Sequence, residues 1–167
     1  DGSANSDVYS WMWKRAPGFF DVVAYTGNGT AGRTVSHNLD VAPEMMWVKG
    51  RGNSNNWAVY CKYVAASSPQ SYYLHLNTTA ARNGSVTYWA NTVPTDSVFT
   101  LGANSAVNGS GFDYIAYLFA SLDGISKVGS YTGTGSNIDV DCGFTAGARF
   151  VLIKRADASS TGWGVID

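Results

Sequence analysis

The sequence predicts an all-β protein: antiparallel β-sandwich units, jelly-roll-like, in tandem. Three observations carry this. The first is composition. Charged residues make up only 14% of the chain, against roughly 25% in average proteins, and Glu44 is the single glutamate. Helix-favouring Glu and Lys are scarce, while Gly, Thr, Ser, Val and Tyr, which suit strands and turns, are plentiful. The second is a series of short apolar runs separated by Gly, Pro, Asn and Asp, with a turn signal about every ten residues. The third is an internal match, set out below.

The elements follow in order. FFDVVAY, residues 19–25, reads as a strand closed by a glycine turn. RTVSH, 33–37, alternates less cleanly. A loop fixed by Pro43 leads to MMWVK, 45–49, a run apolar on both faces, as in a central strand covered on both sides. RGNSNN is a turn and WAVYCKY, 57–63, its hairpin partner. SYYLHLN (71–77), VTYW (86–89) and VFTLG (98–102) read as further strands. FDYIAYLFA, 112–120, is the strongest: Phe112, Tyr114, Ala116, Leu118 and Ala120 share one face, and Asp113, Ile115, Tyr117 and Phe119 the other. No segment keeps a helical period beyond about two turns.

The string YTGNGT at Tyr25 returns as YTGTGS at Tyr131, 106 positions later (131 − 25). The match extends outward. Asp7 falls on Asp113, Trp13 on Phe119, Gly18 on Gly124 and Val22 on Val128. Further on, MMWVKG lies over FVLIKR after the loss of one residue, and Trp57 falls on Trp163. A period this long exceeds solenoid and propeller repeats and has the size of a small domain. The reading divides the chain into 1–18, the last strand of a preceding unit plus a linker; 19–120, a complete unit; and 121–167, the first part of a second, truncated unit. The sequence starts and stops out of phase with its repeat and is expected to be a piece of a longer array. The truncated part must be covered to be ordered. The expected cover is a symmetry-related chain or residues beyond the sequence rather than the first unit.

The formal net charge of −1 leaves no electrostatic footprint for nucleic acid or an acidic membrane. No apolar run approaches the roughly 20 residues of a membrane helix, and the start, DGSANSD, has neither the basic nor the apolar region of a signal peptide. Cys61 and Cys142 lack CxxC spacing and read better as two small buried hydrophobes than as a disulfide. His75, between apolar neighbours, reads as a strand residue rather than a base, and no Ser-His-Asp set involving it or His37 stands out. Asp139 and Asp141 place two carboxylates on one strand face, with no acidic loop to complete a Ca²⁺ site. With one Glu and scattered Asp, paired carboxylates for glycan cleavage are not evident. The expectation is a non-enzyme with no catalytic residues, no metal and no cofactor.

The aromatic residues are more informative. Trp57 and Trp163 share a repeat position, which points to packing. Trp89 lies beside polar loops carrying Arg82, Asn83 and Asn91. An exposed ring beside amides can stack on a sugar, so these four form the candidate ligand patch. The competing reading is a tryptophan buried in the core or in a fibre interface. Four Asn-x-Ser/Thr strings, at Asn28, Asn77, Asn83 and Asn108, matter only in a eukaryotic secretory setting.

Residues 11–39, read as W-x-W-K-R-A-P-G-F-F-D-V-V-x-Y-T-G-N-G-T-A-G-R-T-V-x-H-N-L, followed by MMWVK and NWAVY, resemble tail-fibre and appendage proteins of marine bacteriophages. YIAYLFA, VGSYTGTGS, FVLIKR and WGVID resemble the linked repeat of the same proteins. The resemblance covers Trp11 to the C-terminus. It departs at Asp141 and Cys142, where the second repeat more often has an aromatic or Thr. It implies a virion structural protein near the distal end of a tail, acting in attachment to the host cell. Its implied partners are further copies of the chain, as in trimeric fibres, other virion tail proteins, and a host surface glycan or protein receptor. A spacer that binds no receptor is the alternative, and a surface-glycan depolymerase the third.

Overall fold

Phe20–Thr26 and Asp113–Phe119, the first and last strands of the expected unit, pair side by side. The computed structural model describes residue 10 and residues 12–167. Along them run strands β1 (Phe20–Thr26), β2 (Arg33–Ser36), β3 (Met45–Gly50), β4 (Ala58–Cys61) and β5 (Tyr72–His75). After these come β6 (Asn83–Gly84), the one-turn helix α1 (Val86–Trp89), β7 (Val98–Leu101), the one-turn helix α2 (Ser105–Asn108) and β8 (Asp113–Phe119). The last two strands are β9 (Val151–Lys154) and β10 (Trp163–Ile166). The segment DVYSWMWKR, expected as the last strand of a preceding unit, lies partly outside the described residues; its described residues, 10 and 12–15, carry no regular structure.

The fold is all-β and antiparallel. One sheet has the order β1-β8-β3-β4-β5-β6, a second consists of β2 and β7, and β9 and β10 form a separate hairpin. First strand meets last, and second meets seventh, as in a jelly roll; β3, however, lies between β8 and β4. The large sheet and the β2–β7 ribbon sandwich the main core, with α1 and α2 closing it. Strand alternation sorts the side chains. Met46 and Val48 of β3 and Tyr114, Ala116 and Leu118 of β8 point into this core. Trp47, Tyr117 and Phe119 point to the opposite face.

VTYW was expected as a strand and is helix α1. The Ser85 hydroxyl accepts the Thr87 N–H as an N-cap, and Ala90 ends the turn with φ 51°. A strand would have sent Tyr88 and Trp89 to opposite faces. The helical step of about 100° lets both point inward, and both are buried. Tertiary burial of two large rings outweighs the strand propensity of Val, Thr, Tyr and Trp. Phe112, expected on the inner face of β8, lies before the strand and is exposed. Asp139 and Asp141 stand on irregular backbone rather than on a strand, and the Asp141 carboxylate accepts the Gly143 N–H in a local turn.

The C-terminal segment departs from expectation in two ways. Its cover is the preceding unit: Val128, Ala156 and Trp163 pack with Val59, Cys61 and Leu74 on the second face of the large sheet. The Trp163 indole N–H donates to the His75 carbonyl at 2.9 Å. Phe150, Leu152 and Trp163 are consequently half-buried. Only two of the four expected strands form there, and ladder partners explain which. β1 pairs with β8 and β2 with β7, and 121–167 holds no counterpart of β7 or β8. β3 and β4 pair with each other, so their counterparts, β9 and β10, carry their own partner.

Candidate functional site

An aromatic groove opens on the second face of the large sheet, beside the area covered by the C-terminal segment. It has a volume of about 420 Å³ and is lined by Trp13, Phe20, Val22, Trp47, Trp57, Leu76 and Tyr117. Adjacent strands place these side chains. Val22 lies opposite Tyr117 on β1 and β8, and Trp47 opposite Tyr117 on β3 and β8. Trp57 immediately precedes β4, and its ring stacks on Tyr117 with centroids 6.1 Å apart and planes at 27°. Phe20 stacks on the other side of Tyr117 at 6.4 Å and 18°. Trp13 leans against Phe20 at 6.2 Å and against Phe119 at 6.3 Å.

The Trp and Tyr side chains bring polar groups to this lining, and one of them is buried and unpartnered. The Trp47 indole N–H is buried and has no hydrogen-bond partner among the described residues. A buried donor left unpaired costs about 1–3 kcal/mol, and a buried Trp N–H usually finds a partner. A groove of ring faces with one free donor suits a ligand that offers flat C–H surface and a hydroxyl or carbonyl acceptor. Among the described residues, no charged side chain lines it. A second, shallower depression of about 360 Å³ is lined by Arg51, Gly52, Gly111, Phe112 and Asp113.

One family model matches residues 1–167, described as Domain of unknown function (DUF7483). The chain belongs to the DUF7483 family. No curated protein and no solved structure matches it. The family match spans both the β1–β8 unit and the C-terminal segment of this DUF7483 domain.

The four residues of the expected ligand patch converge on Tyr72 and its neighbours but do not form an open site. Trp89 is fully buried, and its indole N–H donates to the Tyr72 carbonyl at 2.9 Å. It is a core residue and presents no ring face to a ligand. Arg82 lays its guanidinium over the Tyr72 ring at 5.5 Å and donates to the Val64 carbonyl at 2.7 Å. Its backbone N–H holds the Ala156 carbonyl, so it ties the C-terminal segment to the sheet. Asn83 is exposed on the edge strand β6, opposite Tyr73. Asn91, at φ 52°, accepts the Ser71 hydroxyl at 2.7 Å. None of the four lines the aromatic groove or the shallow depression.

Both histidines are structural. His37 is buried, stacks on Phe99, and bonds the Thr95 carbonyl through Nε2 and the Leu39 N–H through Nδ1. Burial holds its pKa below the usual imidazole range, and burial does the same for His75. Cys61 and Cys142 are free thiols, with burial pushing the Cys61 thiol up. Asn108, one of the four glycosylation strings, is fully buried and inaccessible.

The sequence did carry a signal for the groove. Trp47 and Tyr117 alternate with core residues on β3 and β8, so their outward face was legible as apolar. Which part of that face is covered, and by what, depends on contacts between segments far apart in the chain.

Proposed function

We propose that this DUF7483 domain is a segment of a phage tail fibre or appendage, outside the cell on the virion, and that its aromatic groove contacts a saccharide of the host surface. The observation that carries this reading is the groove itself, where the Trp57–Tyr117 stack stands beside the unpaired Trp47 N–H. Pyranose rings offer both a flat C–H face and hydroxyl acceptors. The resemblance of the Trp11–Leu39 string to appendage proteins supports the setting, as does the low-charge antiparallel β architecture. In this reading the domain assembles with further copies of itself and with other tail proteins, and catalyses nothing.

The test is a glycan array of bacterial lipopolysaccharide and capsular oligosaccharides, followed by titration monitored by tryptophan emission. At least one glycan class is expected to bind, with Tyr117→Ala and Trp57→Ala each weakening binding about ten-fold, on the scale of a lost aromatic contact. Absence of binding across the array, with whole-cell adsorption also negative, replaces this reading with a spacer that only lengthens the fibre. Release of reducing ends from any of the glycans replaces it with a depolymerase.

A further inference from the structure

Three Asn-Gly pairs stand in the chain: Asn28–Gly29, Asn83–Gly84 and Asn108–Gly109. Such a pair can react with itself. Glycine carries no Cβ, so its backbone nitrogen is free to approach the side-chain Cγ of the asparagine before it. As sequence the three pairs are equivalent. As structure they are not, because the reaction needs a glycine nitrogen that is free to turn and an amide that can swing towards it.

Two of the pairs lock each other. The Gly29 N–H donates to the Asn108 carbonyl at 2.7 Å. The Asn28 Oδ1 accepts the Thr30 N–H at 2.9 Å and the Asn108 Nδ2 at 3.2 Å. Asn108 is fully buried, and its Nδ2 also donates to the Thr30 and Gly102 carbonyls. The Gly109 N–H donates to the Tyr114 hydroxyl at 2.8 Å. Turning either amide breaks several of these bonds at once.

The third pair is placed differently. Asn83 and Gly84 are exposed and make up the whole of β6, the strand at the end of the large sheet. Opposite residues of an antiparallel pair alternate between hydrogen-bonded and non-hydrogen-bonded. The Ser85 N–H donates to the Ser71 carbonyl at 2.8 Å. Gly84, one residue earlier and opposite Tyr72, therefore belongs to a non-hydrogen-bonded pair, and its N–H points away from β5, towards the rim of the sheet. A strand this short at a rim opens locally at small free-energy cost.

We propose that Asn83 is a self-modification site, at which the folded chain deamidates through its own backbone while Asn28 and Asn108 are protected. The Gly84 nitrogen attacks the Asn83 Cγ. The N–Cγ bond forms, the Cγ–Nδ2 bond breaks, and Nδ2 leaves as ammonia with the proton from the Gly84 nitrogen. Water then adds to either carbonyl of the cyclic imide and opens it to aspartate or isoaspartate, with no change in oxidation state. Either product sets a carboxylate on β6 beside Arg82, whose N–H holds the Ala156 carbonyl of the C-terminal segment. Isoaspartate also lengthens the β6 backbone by one carbon, which disturbs its register with Tyr72 and Tyr73.

The test is incubation of the full chain in mildly alkaline buffer, folded and in urea side by side, with peptide mass mapping at intervals. In urea all three asparagines are expected to convert at similar rates, since only the dipeptide acts. In the folded chain Asn83 is expected to convert at least about ten-fold faster than Asn28 or Asn108. That ratio equals about 1.4 kcal/mol of barrier, the scale of one hydrogen bond. Isoaspartate among the products reports the cyclic imide. Gly84→Ala blocks the approach of the nitrogen and is expected to slow conversion about ten-fold. A Cβ there meets its nearest neighbour at 3.8 Å, an ordinary contact, so the variant keeps the fold. Equal rates at the three sites of the folded chain overturn the proposal. So does an unconverted Asn83 in the folded chain while the chain in urea reacts. Conversion that yields no isoaspartate, or that Gly84→Ala leaves unchanged, overturns the backbone route.

Discussion

The carboxylate of Glu44 grips Ser121 twice, accepting its backbone N–H at 3.0 Å and its hydroxyl as well. The same carboxylate takes Lys62 at 3.2 Å and the Tyr63 hydroxyl at 3.1 Å, and Ser121 Oγ accepts the Val128 N–H at 3.0 Å. The only glutamate in the sequence thus joins the start of β3, the end of β4 and the chain leaving β8. Burial raises the Glu44 pKa, but the bonds from Ser121, Lys62 and Tyr63 outweigh it and hold the carboxyl below its usual range. Hydrogen bonds to charged groups contribute about 1.5–3 kcal/mol each, not additively. Glu44→Ala is expected to lower unfolding free energy by about 2–4 kcal/mol in urea titration. Hydrogen exchange should rise first around Ser121–Val128.

The two glycine strings make opposite predictions. A Cβ on Gly27 would stand 2.1 Å from the Gly109 carbonyl oxygen, with Asn108 backbone also in contact. The matched Gly133 meets nothing within 4 Å. Gly27→Ala forces backbone apart and is expected to cost about 2–4 kcal/mol, within the range of severe overpacking. Gly133→Ala should stay within about 0.5 kcal/mol, as a surface substitution does. Thermal melts of the two variants side by side check this; equal effects would contradict it.

Asn108 fills a buried polar niche. Its amide nitrogen reaches the Thr30 and Gly102 carbonyls, each at 2.9 Å, and its Oδ1 accepts the Asn28 N–H at 3.0 Å. Asn108→Leu leaves these backbone groups without partners. Of these residues Gly102 is buried, while Asn28 and Thr30 are exposed; a buried unsatisfied group costs about 1–3 kcal/mol, so a loss of about 2–3 kcal/mol is expected in chemical denaturation. Asn28→Ala, at an exposed position, should cost about 1 kcal/mol or less.

Acid should weaken the fold in two steps. His37 and His75 have folded pKa values lowered by burial. Between the folded value and the unfolded value of about 6.5, the unfolded chain binds more protons. Their contribution is therefore present above about pH 6.5 and is lost as pH falls through the folded values. Asp21 and Glu44 follow at lower pH. Burial raises the Asp21 pKa, but bonds from Asn38, Arg15 and Val22 outweigh it and hold it low. The melting temperature is expected to be level from pH 8 to 7, to decline below about 6.5, and to fall again below about 4. His37→Gln/His75→Gln should abolish the first decline and keep the second.

Much of this was legible in the sequence. The strand at FFDVVAY, the central position of FDYIAYLFA and the hairpin of MMWVK with WAVYCKY follow from alternation, apolar runs and turn residues, all local signals. The offset between the two Tyr-Thr-Gly strings is likewise local information read twice, and it lines up the matched turns at Gly18 and Gly124. VTYW was misread because its four residues favour strand and carry no period of their own. Trp89 decided the matter by finding its place under Tyr72.

The sequence by itself determined the all-β class, the two strands that open and close the unit, and the apolar outward face of β3 and β8. Each is a matter of side-chain period and turn chemistry within some ten residues. Only the tertiary structure decided that Trp89 is buried while Trp57 and Tyr117 line a groove. Only it decided that the C-terminal hairpin leans on β4 and β5 and that Glu44 is a joint. Those outcomes depend on which distant segments meet, because a ring is covered or left open, and a carboxylate paired or left in water, by neighbours the local pattern does not name.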